Sequence, residues 1–135
     1  MTDLDLAVDT GQDGFFAQSK DMRVSVEPRL MRVAHAMNLI AETTCARRLE
    51  EAGRPTLLFA PRCDVKMEHL EANGKVTFSA SKGRMKHLTL KVRGLEIEDA
   101  AFEIDQPLGE CAQLVNHVCF DQAKIDTISV RPAGG

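Results

Sequence analysis

Residues 84–93 constrain the fold more than any other stretch of the sequence. Leu88, Leu90 and Val92 lie at every second position, and most residues between them are polar or charged. A period of two predicts a β-strand with one buried face. Gly94 interrupts this pattern, and a second strand pattern follows it at residues 95–98. A strand, a short break and another strand are typical of antiparallel sheets.

Other segments also favour strands over helices. Residues 32–35 lead through Ala36 and Met37 into residues 38–41, which predicts a hairpin. Further strand patterns occur at residues 56–60, 76–79 and 125–130. Helix signals are fewer: an amphipathic spacing over residues 108–115 follows Pro107, and Asp64 is a good N-cap for a helical turn. The fold is therefore expected to be mainly β, with one or two short helices.

Length and composition bound the class of protein. A chain of 135 residues with 44% hydrophobic and 27% charged residues is one ordinary globular domain. Its net charge of −3 and its lack of Trp and Tyr argue against a nucleic-acid partner, which would favour a basic surface and stacking aromatics. No stretch approaches the roughly 20 apolar residues of a membrane span. We expect a cytoplasmic protein without nucleic-acid or membrane partners.

The two ends of the chain differ from the middle. Residues 1–21 contain five Asp and one Lys, which predicts an acidic mobile arm. Leu4, Leu6 and Val8 alternate with acids, so an added edge strand is the alternative. Residues 22–130 form the predicted globular domain, and residues 131–135 are expected to be a frayed tail.

The cysteine pattern gives no sign of a metal site. The cysteines are Cys45, Cys63, Cys111 and Cys119. They contain no CxxC pair, and no HxxxH pair accompanies them, so neither a zinc site nor a redox dithiol is expected. The sequence predicts small buried thiols, no metal and no cofactor.

A longer set of residues resembles a known family in order and spacing. The set comprises Glu42–Thr44, Glu51, Gly53, Pro55, Pro61, Arg62, Asp64, Val65, Met67, Lys82, Gly83, Glu98–Phe102, Pro107 and Phe120. Over about residues 23–130 the chain resembles the bacterial domain-of-unknown-function family 427. The resemblance implies a compact single domain, with antiparallel sheets in a tent-like or barrel-like arrangement and no obligatory metal. The biochemical activity of that family is unassigned.

The family's most diagnostic segment, approximately CPxKGxAxY, corresponds here to residues 79–87. Lys82 and Gly83 match it, whereas Ser79 replaces the Cys and His87 replaces the Tyr. Gly lets a ligand approach the backbone, and an adjacent ammonium can hold a carboxylate or phosphate. A solvated turn that enters a strand is the alternative interpretation of Lys82 and Gly83.

Four further residues are candidates for the same site. Arg62 offers a planar fork for an anion, and Asp64 can orient it, although both residues can instead fix the corner after Pro61. Ser79 and His87 are placed at the edge of the site, where a nucleophile and base would need to lie within hydrogen-bond reach. Glu51 is either a buried acid that faces the site or a surface charge.

The sequence thus predicts a domain that binds a small anionic or polar ligand in a pocket near Lys82 and Arg62. A non-catalytic interaction module or homodimer is one alternative, and an enzyme of unknown reaction that uses the same pocket is another. Some classifications give the family a nucleotidyltransferase-type label. The GSxxxDxD pattern and the P-loop are both absent from this chain, so transferase activity is not expected.

Overall fold

Two antiparallel sheets dominate residues 21–133, the part of the chain that the computed structural model describes. The strands are β1 (Met22–Glu27), β2 (Leu30–His35), β3 (Asn38–Thr43), β4 (Ala46–Glu51), β5 (Leu57–Pro61), β6 (Leu70–Ser79), β7 (Gly83–Val92), β8 (Leu95–Pro107), β9 (His117–Phe120) and β10 (Thr127–Arg131). The larger sheet has the order β1-β4-β5-β9-β8-β7-β6, and the smaller sheet has the order β10-β2-β3. The predicted mainly β, antiparallel fold is confirmed. The predicted arm, except Asp21, and the last two residues of the predicted tail lie outside the described residues.

Strand β7 has two chemically different faces. Leu88 and Leu90 point from one face into the larger core, as their alternation predicts. On the neighbouring strand β8, Phe102 pairs with His87 and Glu103 pairs with Lys86. Because successive side chains of a strand point to opposite sides, the His87 and Phe102 pair lies on one face and the Lys86 and Glu103 pair on the other. This division separates the candidate site residues.

The predicted hairpin is formed by β2 and β3. Ala36 and Met37 make its two-residue turn, with φ angles of 50° and 64°. Two positive φ angles are the geometry that matches the twist of a two-residue hairpin, although Asn and Gly usually occupy these positions. The backbone N–H of Ala36 donates to Asp126, and β10 pairs with β2 to complete the smaller sheet.

Two hydrophobic clusters hold the sheets together. The larger core packs the smaller sheet against the larger one and includes Met31, Val33, Ile40, Leu90, Val118 and Ile125. The smaller core lies among β1, β4, β5, β8, β9 and the turn after β8, and it includes Met22, Leu49, Phe59, Ile104, Cys111, Leu114 and Cys119. Phe59 and Phe102 meet edge to face there, with ring centroids 5.8 Å apart. The second cluster supports the face that carries His87.

The helix signals correspond to short 3-10 turns. Residues 109–114 form one such turn, where the spacing predicted a helix. The predicted cap at Asp64 is wrong: Asp64 ends a 3-10 turn over residues 62–64, and its carboxylate accepts a hydrogen bond from Thr43 instead. A second turn spans residues 67–69. In the described part of the chain, no helix is long and apolar enough to cross a membrane.

A buried carboxylate joins β1 to β4. Glu27 is 1% exposed and accepts hydrogen bonds from the backbone and guanidinium of Arg29 and from the guanidinium of Arg48. The hydrogen bonds from the Arg29 side chain lower the pKa of Glu27 to about 2. The carboxylate therefore stays ionised while it is buried, because cationic donors compensate for lost water.

Candidate functional site

The turn between β6 and β7 positions Lys82. Ser79 Oγ accepts hydrogen bonds from the backbone N–H groups of Ser81 (3.3 Å) and Lys82 (3.1 Å). The carbonyl of Lys82 accepts from the N–H of Leu108 at 3.0 Å, which ties the turn to the end of β8. Ser79 therefore fixes the backbone from which the Lys82 side chain departs.

The Lys82 side chain turns inward and pairs with Glu51 at the end of β4. Lys82 is 8% exposed, and its Nζ lies 3.3 Å from Glu51 Oε1. Arg54 Nε lies 3.8 Å from the other carboxylate oxygen of Glu51. These three residues line a cavity of about 160 Å³, the lysine cavity, together with Leu49, Pro55 and Leu57. Glu51 faces the lysine cavity, as one of the two interpretations of the sequence expected, but it is only partly buried, with 16% of its side chain exposed.

Gly83 has a packing reason for its identity. Its φ is +106°, and a Cβ at this position would lie 2.2 Å from the carbonyl oxygen of Gln106 on β8. Only Gly allows the two backbones to come this close. The space beside its α-carbon is occupied by β8, so the structure gives Gly83 a role in strand packing.

His87 lines a second and larger cavity. His87 Nε2 lies 2.8 Å from Thr77 Oγ1, and its ring is 6.2 Å from that of Phe102. Burial lowers the pKa of His87 and outweighs the nearby Asp99 carboxylate, so the imidazole is neutral at pH 7. The cavity has a volume of about 550 Å³ and is called the histidine cavity. It is lined by Pro55, Leu57, Lys75, Met85, His87, Asp99, Ala101, Phe102, Cys119, Phe120, Asp121, Gln122, Ala123 and Lys124.

The two cavities adjoin one another. Pro55 and Leu57, at the start of β5, line both of them. Lys82 therefore lies on one side of this shared wall and His87 on the other. The volume of the histidine cavity falls within the range of about 300–1,000 Å³ that is common for small-molecule sites.

Arg62 lies on the opposite face of the larger sheet. Its guanidinium pairs with Glu103, which is also 3.8 Å from the ammonium of Lys86. Glu103 follows Phe102 directly along β8, so its side chain points to the other face of the strand, and neither Glu103 nor Arg62 lines the histidine cavity. The structure does not bring Arg62 into either cavity, although Arg62 and Lys82 were predicted to share a pocket.

Asp64 forms part of the contact between the two sheets. Its carboxylate accepts from the Thr43 hydroxyl at 2.7 Å, and that hydroxyl accepts from the N–H of Cys45 at 2.8 Å. The adjacent Lys66 N–H donates to the carbonyl of Ile40. Asp64 is thus placed as a structural link, and neither cavity includes it.

The cysteines divide into two pairs. Cys111 and Cys119 are buried as predicted, but Cys45 and Cys63 are exposed, which corrects the expectation of four core thiols. Burial raises the pKa of Cys111 to about 11 and that of Cys119 to about 12, while the nearby Lys82 ammonium opposes the rise. Both buried thiols are therefore protonated at neutral pH. Within residues 21–133 no group of three or more His, Cys, Asp or Glu is placed to hold a metal ion.

Sequence reasoning missed several residues of the histidine cavity. Lys75 pairs with Asp99 at 3.0 Å across β6 and β8, and Asp99 has a φ of 55°. A non-Gly residue with positive φ costs free energy and often occurs near functional sites. Neither residue carries a motif that could have been recognised. Phe102 was visible within the acidic segment of the family pattern but was not assigned to a site.

The architecture defines the class as a mainly antiparallel β domain, and two of its cavities adjoin one another. The family model described as Domain of unknown function (DUF427) matches residues 23–131. The chain therefore belongs to this family, which confirms the resemblance seen in the sequence. No curated protein matches the chain.

Proposed function

We propose that the chain binds a small anionic or polar molecule at the lysine and histidine cavities, with Lys82 contacting its charged group. The observation that carries this proposal is a buried ammonium at a cavity that adjoins a larger, mostly apolar one. Arg62 and Asp64 are left out of the proposed contacts because other residues hold them elsewhere.

The environment of Lys82 supports this role. A buried ammonium is costly unless it is paired, and Glu51 provides its partner at 3.3 Å. A lysine without a role in a site is usually exposed, because water solvates its ammonium better than the protein interior does. The backbone N–H of Lys82 donates to Ser79 Oγ and its Nζ pairs with Glu51, so the ammonium is positioned before a ligand arrives.

The test is a thermal-shift screen of anionic and polar metabolites on three proteins: wild type, Lys82→Met and Lys86→Met. Met keeps most of the aliphatic stem and removes the charge. Loss of a charge-assisted contact costs about 1.5–3 kcal/mol, or roughly ten- to a hundred-fold in affinity. Ligands that stabilise wild type should stabilise Lys82→Met less, and Lys86→Met should respond like wild type because Lys86 lies on the other face. Equal stabilisation of all three proteins by every ligand would overturn the proposal.

Among the described residues, removal of Lys82 leaves Arg54 as the ion-pair partner of Glu51. A second variant, Lys82→Met with Glu51→Gln, removes the partly buried carboxylate that has lost its Lys82 partner. It should fold as well as or better than Lys82→Met, and it should bind anions less tightly than wild type because the Lys82 contact is absent, although Arg54 leaves the net charge of the cavity unchanged.

The second candidate function is self-association through β6. Phe78 is 77% exposed, and β6 forms one edge of the larger sheet in the described part of the chain. An exposed edge strand with a large apolar side chain favours pairing with another chain. A dimer in sedimentation velocity that dissociates on Phe78→Ser would support this function, and a wild-type monomer at high concentration would refute it.

We also propose a cytoplasmic location. The four cysteines are free thiols, and two of them are exposed, which supports a reducing compartment. Cell fractionation with an antibody to the chain tests this, and recovery from an oxidising compartment would contradict it.

A further inference from the structure

The charges of the histidine cavity are balanced. Lys75 pairs with Asp99, and the Lys124 ammonium donates to the carbonyls of Glu98 (2.9 Å) and Asp99 (3.5 Å). The second carboxylate of the cavity, Asp121, accepts from a backbone N–H within its own turn. Two lysines and two aspartates leave no net charge. An ionised ligand group would therefore find no surplus opposite charge in this cavity.

The remaining lining of the histidine cavity favours a flat, uncharged group. Leu57, Met85, Phe102 and Phe120 supply apolar surface. His87, whose Nε2 is hydrogen-bonded to Thr77, adds a flat ring without a charge, since burial lowers its pKa. Aromatic faces and an apolar wall are the usual environment for a ring in a ligand site.

The lysine cavity has the opposite character. Lys82 and Arg54 face one carboxylate, that of Glu51. This arrangement leaves one positive charge in excess, which suits a ligand group with a single negative charge. Its volume of about 160 Å³ leaves room for a small group only.

An acidic groove limits the direction from which an anion can reach Lys82. Glu51 and Arg54 also line a groove of about 530 Å³, whose other charged residues are the acids Asp21, Glu50 and Glu110 and the base Arg23, so acids outnumber bases there by four to two. Like charges there disfavour an approaching anion. The opposite flank is the wall of Pro55 and Leu57, which is also the edge of the histidine cavity.

We propose that the ligand is an amphipathic monoanion, in which a flat uncharged ring occupies the histidine cavity and one carboxylate, or a similar singly charged group, reaches Lys82 past Pro55 and Leu57. This inference rests on the proposed function, and it specifies the ligand class for the same site. The inference follows from the distribution of charge: the histidine cavity has no net charge, and the lysine cavity has one positive charge in excess.

Naphthyl acids are suitable probes because the chain contains no Trp or Tyr whose emission would overlap theirs. The titrations use 2-naphthylacetate, 3-(2-naphthyl)propionate and their amides, with fluorescence anisotropy of the naphthyl group as the readout. Wild type should bind at least one acid ten-fold or more tightly than its amide. Lys82→Met should lower the affinity of that acid to the level of the amide and leave the amide unchanged. Phe102→Leu should weaken both, whereas Lys86→Met should change neither.

Two results would overturn the inference. The first is equal affinity of acid and amide for wild type, and the second is absence of binding by all four probes at millimolar concentration. Either result leaves the proposed function standing if the metabolite screen yields a ligand that depends on Lys82. If Lys82→Met does not fold, a variant with Lys82→Met, Glu51→Gln and Arg54→Gln replaces it, because this variant removes the positive excess without leaving an unpaired carboxylate. Acid binding by that variant at wild-type affinity would also overturn the inference.

Discussion

Gly83→Ala provides a sharp test of the packing between β7 and β8. The added methyl group would lie 2.2 Å from Gln106 O, 3.0 Å from Pro107 Cα and 3.1 Å from Leu108 N. All three atoms belong to the backbone, so no side chain can rotate away to make room. The two strands must separate locally, or the turn that carries Lys82 must move.

The cost of Gly83→Ala has two parts. A positive φ costs an L-residue about 1–2 kcal/mol, and overpacking costs about 1–3 kcal/mol. We therefore expect Gly83→Ala to lower the free energy of unfolding by about 2–5 kcal/mol. Gly94→Ala is the matched control. Its φ is +75° and no atom lies within 4 Å of the added Cβ, so only the cost of the positive φ lowers its free energy of unfolding.

Urea unfolding followed by far-ultraviolet circular dichroism measures both variants, because the chain lacks Trp for a fluorescence assay. Gly83→Ala should lose at least about 1 kcal/mol more than Gly94→Ala. If the two variants lose the same free energy, the close approach of β8 is not what requires Gly at position 83.

Two further predictions concern ionisation and thiol accessibility. The folded-state pKa of Glu27 is depressed to about 2, so its stabilising effect is present at neutral pH and is lost as pH falls from about 4.5 towards 2. Glu27→Gln should therefore be less stable than wild type at pH 7 in urea unfolding, and the difference should shrink on acidification; a pH-independent difference would contradict this. Iodoacetamide with mass spectrometry should label the exposed Cys45 and Cys63 in the native protein, whereas Cys111 and Cys119 should react only after unfolding. Labelling of all four at one rate under native conditions would show that the buried pair is accessible.

Local patterns predicted part of the fold well. The alternation along β7 identified a strand with one buried face, and the short break at Ala36 and Met37 identified a hairpin, because period and turn length act over a few residues. Strand β4 was not predicted as a strand. Its residues 46–51 are mostly charged, and they form a strand because β1 and β5 pair with them on both sides. Such long-range pairing leaves little trace in local composition.

The candidate site was likewise predictable only where its residues are close in sequence. Lys82 and His87 lie close in sequence, so a turn and one strand bring them to adjoining cavities. Arg62 directly follows β5, and the face of the sheet on which it lies depends on the order in which β5, β9 and β8 pair. No spacing rule gives that order, which is why the prediction placed Arg62 and Lys82 in one pocket. The pairing of Lys82 with Glu51 depends equally on how β4 packs.

The pairing of β10 with β2 has a consequence for the order of folding. The contact between Ala36 and Asp126 joins residues that are 90 apart in sequence. The length-dependent part of the entropic free-energy cost of closing such a loop is about 4 kcal/mol. The same cost is small for the hairpin of β2 and β3, because its loop is short. The hairpin can therefore form early, while the larger core lacks Ile125 and its neighbours until the last strand docks. During synthesis the smaller sheet is incomplete until β10 has been made, and until then its apolar side is open to chaperones.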